Sequence, residues 1–108
     1  MTDLVFGAEH NGTVIDVPVG RSFHIRLEET PSTGYKWSIT SFDANCLELR
    51  SDGFAPYKEA GIGGGGLHDF EFAATSACRT TIRAIKKRPW ENSTQGQPTF
   101  EITIVGTH

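Results

Sequence analysis

Apolar and polar residues alternate along most of this chain, and that two-residue period limits its possible folds more than any other feature. The segment "FHIRLE" at 23–28 places Phe23, Ile25 and Leu27 on one face and three polar residues on the other. Alternation recurs at 35–40, 69–72, 82–84 and 100–104, with weaker candidates at 4–6, 13–17 and 47–50. A period of two is typical of a strand with one buried face. We therefore predict about eight short strands and no helix.

Turn-forming residues separate these segments. They occur as "NG" at 11–12, "TPSTG" at 30–34, "SDG" at 51–53, the glycine run at 61–66 and "RPWENSTQGQP" at 88–98. Strands joined by such turns, with no helical segment between them, favour two packed sheets. With 108 residues the chain has the size of one domain. The prediction is a single all-β domain over 1–108, an antiparallel β-sandwich of about eight strands in a Greek key arrangement.

Composition and charge exclude several classes of function. The chain has 10 Lys and Arg against 13 Asp and Glu, so it lacks the basic surface of a nucleic-acid-binding protein. No apolar run approaches the roughly 18 residues that cross a membrane. The N-terminal "MTDLVFGAEH" has neither the basic nor the apolar region of a signal peptide. The expected location is cytoplasmic, or lysosomal or endosomal if a signal peptide has been trimmed away.

Cysteine and histidine give no sign of a metal site or a catalytic centre. Cys46 and Cys78 are either two thiols or one disulfide, and half-buried free thiols are favoured because a domain of this size needs no cross-link. The histidines are scattered without metal-ligand spacing, and we expect each to be a solvated surface residue. The "STG" at 32–34 is no nucleophile elbow, because that motif requires a helix after the turn. We expect neither enzymatic activity nor a cofactor or metal.

Three loops contain the remaining sequence features that indicate a function. "TPSTGYKW" at 30–37 joins a φ-restricted proline to a permissive glycine, which predicts a stiff turn. "RPWEN" at 88–92 places arginine and tryptophan, both frequent at binding hot spots, in one loop. The glycine run is either a flexible linker or a strip of main chain that must approach a partner closely. Alternation places Tyr35 and Trp37 in the core.

The three segments in this order resemble the chagasin-like inhibitors of papain-family cysteine peptidases. That family carries a Pro-Thr-Thr-Gly turn followed by an aromatic residue, then a Gly-x-Gly-Gly loop, then Arg-Pro-Trp. Here the motifs are "TPSTGYKW", "GIGGGG" and "RPWE", and the resemblance spans roughly residues 13 to 105. Thr30 stands where the family usually has asparagine and is expected to hydrogen-bond its own turn less well.

The resemblance implies an immunoglobulin-like β-sandwich whose three loops enter the cleft of a cathepsin L-like peptidase as a wedge. It implies a reversible inhibitor without a cleaved bond, and we expect a monomer. The glycine motif has two possible registers, 61–64 or 63–66, and the second is preferred from its spacing to Phe70. The implied peptidase contacts are Thr30, Pro31, Ser32, Thr33, Gly34, Ile62, Gly63, Gly64, Gly65, Gly66, Arg88, Pro89 and Trp90.

Two other functions compete with inhibition. A generic immunoglobulin-like interaction or adhesion module would have the same sandwich but no need of the three motifs. A small hydrolase or carbohydrate-binding protein would use the exposed aromatic residue alone. Under the inhibitor hypothesis, we expect leucine at Gly64 or Gly65 to weaken inhibition strongly and to leave thermal stability almost unchanged.

Overall fold

The computed structural model describes residues 4–58, 64–91 and 96–108. Its strands are β1 (Leu4–Phe6), β2 (Val14–Pro18), β3 (Ser22–Glu29), β4 (Lys36–Ser41), β5 (Leu47–Pro56), β6 (Gly66–Ala74), β7 (Arg79–Lys87) and β8 (Thr99–Thr107). Two 3-10 turns, Ala8–His10 and Pro31–Thr33, are the only helical elements in these ranges. All eight predicted strands are confirmed. The "SDG" turn is wrong, because residues 51–53 continue β5 after a bulge between Leu49 and Ser51.

The strands form two four-stranded sheets, with the orders β1-β3-β6-β5 and β2-β8-β7-β4. Four of the strand pairs are antiparallel, whereas β1 with β3 and β2 with β8 are parallel. These two pairs depart from the predicted all-antiparallel arrangement. The strands in them are joined by crossovers rather than hairpins, which permits a parallel direction. The β-sandwich itself is confirmed.

The core lies between the sheets and consists of the residues that the alternation turns inward. The largest fully buried apolar side chains are Phe23, Phe70, Phe72, Ile25, Leu27, Leu47, Ile82, Ile102, Ile104 and Val17. Trp37 is buried as expected, and its indole N–H donates a hydrogen bond to the carbonyl of Glu28 at 3.0 Å. Tyr35 is only half-buried and stands outside the core, because β4 begins one residue later at Lys36. The prediction of Tyr35 as a core residue is therefore wrong.

Cys46 and Cys78 form a disulfide, so the preference for free thiols is wrong. Their Cα atoms are 5.7 Å apart, in the usual range for a disulfide. Cys46 lies just before β5 and Cys78 just before β7, and the two turns meet at one end of the sandwich. The amide of Thr75 donates to the carbonyl of Cys46 at 2.9 Å, which holds these turns together. This proximity depends on sheet order and is not visible in sequence spacing.

Three histidines also differ from the prediction of solvated surface residues, and one of them, His10, is half-buried with its ring edge against Phe6. His68 is 1% exposed, and its ring stacks on Phe70 with 4.3 Å between ring centroids. His24 is half-buried on the outer face of the same sheet, where its Nδ1 lies 3.0 Å from the Asp69 carboxylate. In the part of the chain that the structure describes, no helix is long and apolar enough to cross a bilayer.

Candidate functional site at the loop end of the sandwich

Strand direction gathers the three motif loops at one end of the molecule. The first loop (30–35) joins β3 to β4, the second loop (57–65) joins β5 to β6, and the third loop (88–98) joins β7 to β8. We call this the loop end, and the end with the disulfide the disulfide end. Of the predicted contacts, Ile62 and Gly63 lie outside the described residues.

The first loop is a tight turn closed by its own hydrogen bonds. The Thr33 amide and hydroxyl both donate to the Thr30 carbonyl, at 3.1 and 2.7 Å. Gly34 ends the turn with φ of 84°, a conformation that favours glycine. The Thr30 side chain makes no capping hydrogen bond, so its expected role in the turn is wrong and the Thr33 hydroxyl has that role. Pro31, Ser32 and Thr33 are exposed, as binding residues should be.

Arg88 joins the third loop to the first. Its Nε donates to the Thr33 carbonyl at 3.2 Å, and its guanidinium carbon lies 4.5 Å from the centre of the Tyr35 ring. The same carbon is 5.8 Å from the centre of the Trp90 ring. A guanidinium at these distances interacts favourably with both aromatic faces. Arg88 therefore has a positioning role within the protein, which the motif alone did not indicate.

Gly34 allows Trp90 to approach the first loop. A Cβ atom at Gly34 would lie 3.1 Å from Cη2 of Trp90, which is too close for comfortable packing. The indole rests against this glycine by one edge and is still 68% exposed. Pro89 beside it is exposed as well. A large apolar side chain that is fixed at its edge and open to solvent is ready to bury its surface in a partner.

Glu91 holds the base of the third loop. Its carboxylate accepts hydrogen bonds from the Arg88 amide at 3.3 Å and from Nε2 of Gln97 at 2.8 Å. Its own amide donates to the Arg88 carbonyl at 3.1 Å, closing a turn around Pro89 and Trp90. Sequence reasoning missed Glu91 and Gln97. The only signal was the acidic residue directly after the Arg-Pro-Trp motif.

The described part of the second loop lies against the first. The Tyr57 amide donates to the Gly65 carbonyl at 3.1 Å, and this bond closes the loop. A Cβ atom at Gly65 would lie 3.1 Å from Oγ1 of Thr30 and 3.3 Å from the Glu29 carbonyl oxygen. Gly64 and Gly65 are half-buried beside the exposed turn of the first loop. Thus all three loops meet, with the glycine main chain next to Thr30.

Gly66 differs from the other predicted contact residues. It is the first residue of β6, is buried, and pairs with Glu29 on one side and Pro56 on the other. A Cβ atom here would overlap the Ala55 carbonyl oxygen and come within 2.6 Å of Cα of Pro56. Glycine at this position is required by sheet packing, so the structure does not place Gly66 on the binding surface.

Electrostatics and shape add two features to the loop end. Partial desolvation and the nearby Glu28 carboxylate, which accepts its hydrogen bond, raise the pKa of the Tyr57 phenol above its ordinary value. An open depression of about 520 Å³ lies between the first and third loops, with Lys86 and Arg88 in its wall. Within the described ranges, no group of three or more His, Cys, Asp or Glu residues is arranged to hold a metal ion.

The chain is similar to known peptidase inhibitors in sequence. Residues 16–104 match the family described as "Chagasin family peptidase inhibitor I42". Amoebiasin-1 from Entamoeba histolytica is 32% identical over 85 residues, which are 76% of this chain and 79% of that protein. The matched span includes all three motif loops and every strand except β1 and the ends of β2 and β8.

Solved structures show the same fold. The crystal structure of the cysteine protease inhibitor EhICP2 from Entamoeba histolytica superposes with a TM-score of 0.84 at 20% identity, over 96% of this chain and 95% of that chain. PbICP-C, solved in complex with falcipain-2, superposes with a TM-score of 0.71 at 16% identity, over 99% of this chain and 94% of that chain.

Proposed function

The chain belongs to the chagasin family of peptidase inhibitors, and from this premise we propose that it inhibits papain-family cysteine peptidases by filling their active-site cleft with the three loops. The observation that carries this proposal is the meeting of all three motifs at the loop end, where Arg88 bonds to Thr33 and Gly65 lies against Thr30. The related PbICP-C was solved with falcipain-2 bound, which supports a peptidase of this class as the partner.

The loops suit occlusion of a cleft better than presentation of a bond for cleavage. The main chain at Gly64 and Gly65 has no side chain that would keep it away from a catalytic thiol. Its N–H and C=O groups can bond with polar groups that the complex would bury. We therefore infer that the second loop covers the catalytic centre, with the first and third loops on either side.

Trp90 supplies the apolar anchor in this arrangement. Its indole is 68% exposed in the free protein, so docking would remove a large apolar surface from water. Pro89 and the Glu91 contacts restrict the third loop before binding, which lowers the entropy lost on association. The depression beside Arg88 has room for a side chain from the rim of the cleft, and its Lys86 favours an acidic one.

The test is a set of inhibition constants against papain and cathepsin L-type enzymes, with trypsin and subtilisin as controls. We expect tight, reversible inhibition of the papain-family enzymes by one monomer per peptidase, and none of the serine peptidases. Because occlusion requires no reaction with the thiol, a peptidase whose catalytic cysteine is replaced by alanine should still bind. Absence of inhibition at micromolar concentration across the papain-family set would refute the proposal.

A further inference from the structure

A chain of three ionisable side chains, two of them buried, lies directly beneath the first two loops. Nδ1 of His68 is 3.0 Å from Oε1 of Glu29, and Nε2 of His68 is in hydrogen-bond contact with Oδ1 of Asp52. The His68 side chain is 1% exposed and that of Glu29 is 3% exposed, whereas Asp52 is about half-exposed at the sheet edge. Each ring nitrogen of His68 therefore faces a carboxylate oxygen.

This geometry constrains the protonation of His68. A neutral imidazole has one N–H and one lone pair, so one of its nitrogens would place a lone pair against a carboxylate. An imidazolium donates from both nitrogens and satisfies both contacts. It also supplies the positive charge that a buried Glu29 carboxylate needs. The ring lies against Phe70 and away from water, so protein groups must provide this balance.

The same three residues lie on neighbouring strands of one sheet and connect the bases of two loops. Glu29 is the last residue before the first loop, and its Oε1 also accepts the Trp37 amide at 2.6 Å just after that loop. His68 stands three residues after Gly65 of the second loop, and Asp52 lies on β5, the strand that leads into it. A proton on His68 thus ties both ends of the first loop to the strands that carry the second.

We propose that His68 is held as an imidazolium between Glu29 and Asp52 and is the positioning residue that fixes the first and second loops for inhibition. Only the last part of this proposal, that the two loops are fixed for inhibition, rests on the proposed function. Among the described residues, the charged groups in contact with His68 are Glu29 from β3 and Asp52 from β5. Lys36 and Lys87 line the same depression as Asp52 at the sheet edge.

The protonation is tested on the free inhibitor, without any peptidase. Nitrogen-15 NMR of the histidine side chains at pH 7 should show two N–H signals for His68, both protected from exchange with water. A single ring N–H signal would overturn the assignment of an imidazolium. This result stands whether or not the chain inhibits a papain-family enzyme, so it separates the present inference from the proposed function.

The positioning role is tested with His68→Gln, and His24→Gln is the matched control. Both substitutions remove a histidine that contacts a carboxylate, but His24 meets Asp69 on the outer face of the sheet. For folded His68→Gln we expect the inhibition constant to rise about tenfold or more, and for His24→Gln we expect a change within twofold. Equal inhibition by folded His68→Gln and the wild type would overturn the positioning role.

Amide hydrogen exchange gives a readout that does not depend on inhibition. In His68→Gln, exchange should accelerate at the Trp37 and Tyr57 amides, which bond to Glu29 and to Gly65 near the loops. It should be unchanged at the Gly106 amide, which bonds to Cys78 at the disulfide end. Uniform acceleration at all three amides would mean that His68 serves only global stability, and it would contradict the proposal.

Asp52→Asn provides a second variant, which should fold even if His68→Gln does not, because Asp52 is half-exposed. The amide oxygen can still accept the Nε2–H bond but no longer contributes a charge. In this variant we expect the exchange-protected Nε2–H signal of His68 at pH 7 to be weakened or lost, and binding to a cysteine-to-alanine peptidase to weaken with it. An Asp52→Asn variant that loses this signal but binds the peptidase as tightly as the wild type would refute the link between the proton and the loops.

Discussion

The two ends of this sandwich are held together by different kinds of contact. At the disulfide end, Cys46 is bonded covalently to Cys78, and main-chain hydrogen bonds such as that from the Gly106 amide to the Cys78 carbonyl join the strands. At the loop end, side chains make the connections, with Arg88 on Thr33 and His68 on Glu29. This difference indicates that the fold is secured far from the surface that binds, so stability and inhibition should respond to separate substitutions.

The largest expected effect is on stability, at the disulfide end. Replacing Cys46 and Cys78 together by serine removes the covalent link between two residues that are 32 positions apart. The free energy of unfolding should fall by about 3–4 kcal/mol, as expected for a loop of that length. Urea unfolding measures the loss. The inhibition constant of the folded variant should stay within twofold of the wild type, and a large rise would show that the two ends are coupled.

The next effect is on inhibition, at the loop end. Trp90→Ala should raise the inhibition constant at least about thirtyfold, the result of losing a hot-spot side chain worth about 2 kcal/mol. Unfolding should change by less than about 0.5 kcal/mol, because the indole is mostly exposed. Val19→Ala, an exposed apolar residue at the disulfide end, is the matched control and should alter neither quantity. Unchanged inhibition by Trp90→Ala would assign the indole to packing.

Arg88→Lys tests the link between the first and third loops and should have a smaller effect. Lysine keeps the charge but loses the guanidinium contact with the Tyr35 ring and the directed bond to the Thr33 carbonyl. We expect the inhibition constant to rise about five- to tenfold, corresponding to about 1 kcal/mol. Arg83→Lys is the control, since Arg83 pairs with Glu101 on an exposed strand face. If both substitutions have equal effects, charge alone accounts for the role of Arg88.

The sequence predicted the strands well because each strand of a sandwich buries one face in the core. This burial produces the alternation of apolar and polar residues in the sequence. Trp37 was placed correctly for this reason. Tyr35, two residues earlier, was not, because alternation has no meaning before β4 begins and the Arg88 guanidinium lies over its ring. The motif loops were singled out by their residues and given a function by resemblance, and their meeting at one end follows from strand direction.

Contacts between segments that are far apart along the chain could not be predicted from the sequence. The pairing of Cys46 with Cys78 depends on which turns share an end of the sandwich. The burial of His68 was not predicted, and its two carboxylate partners come from other strands. Gly66 was predicted to be a contact residue because it belongs to the glycine motif, whereas packing against its neighbours in the sheet is what requires glycine there.

Gly65 sharpens the comparison of the two ends, because at this residue a change in the binding surface must also affect stability. The sequence-based expectation was that substitution here would spare stability. A Cβ atom at Gly65, however, would press on Oγ1 of Thr30 and on the Glu29 carbonyl oxygen. The Thr30 side chain can move aside, but the carbonyl cannot do so easily at the end of a paired strand.

Gly65→Ala should therefore lower the free energy of unfolding by about 1 kcal/mol, a modest case of overpacking, and should raise the inhibition constant a few-fold as Thr30 is displaced. Gly53→Ala in β5 is the control, since no atom of the described residues beyond its chain neighbours lies within 4 Å of the added methyl group, and it should gain about 0.5 kcal/mol from the lower backbone entropy of alanine. Combining Gly65→Ala with Thr30→Ala should recover part of the lost stability, because one of the two close contacts is then removed. Equal unfolding energies for Gly65→Ala and Gly53→Ala would mean that the second loop retreats from Thr30 without cost. In that case the loop end would be more adaptable than its contacts indicate.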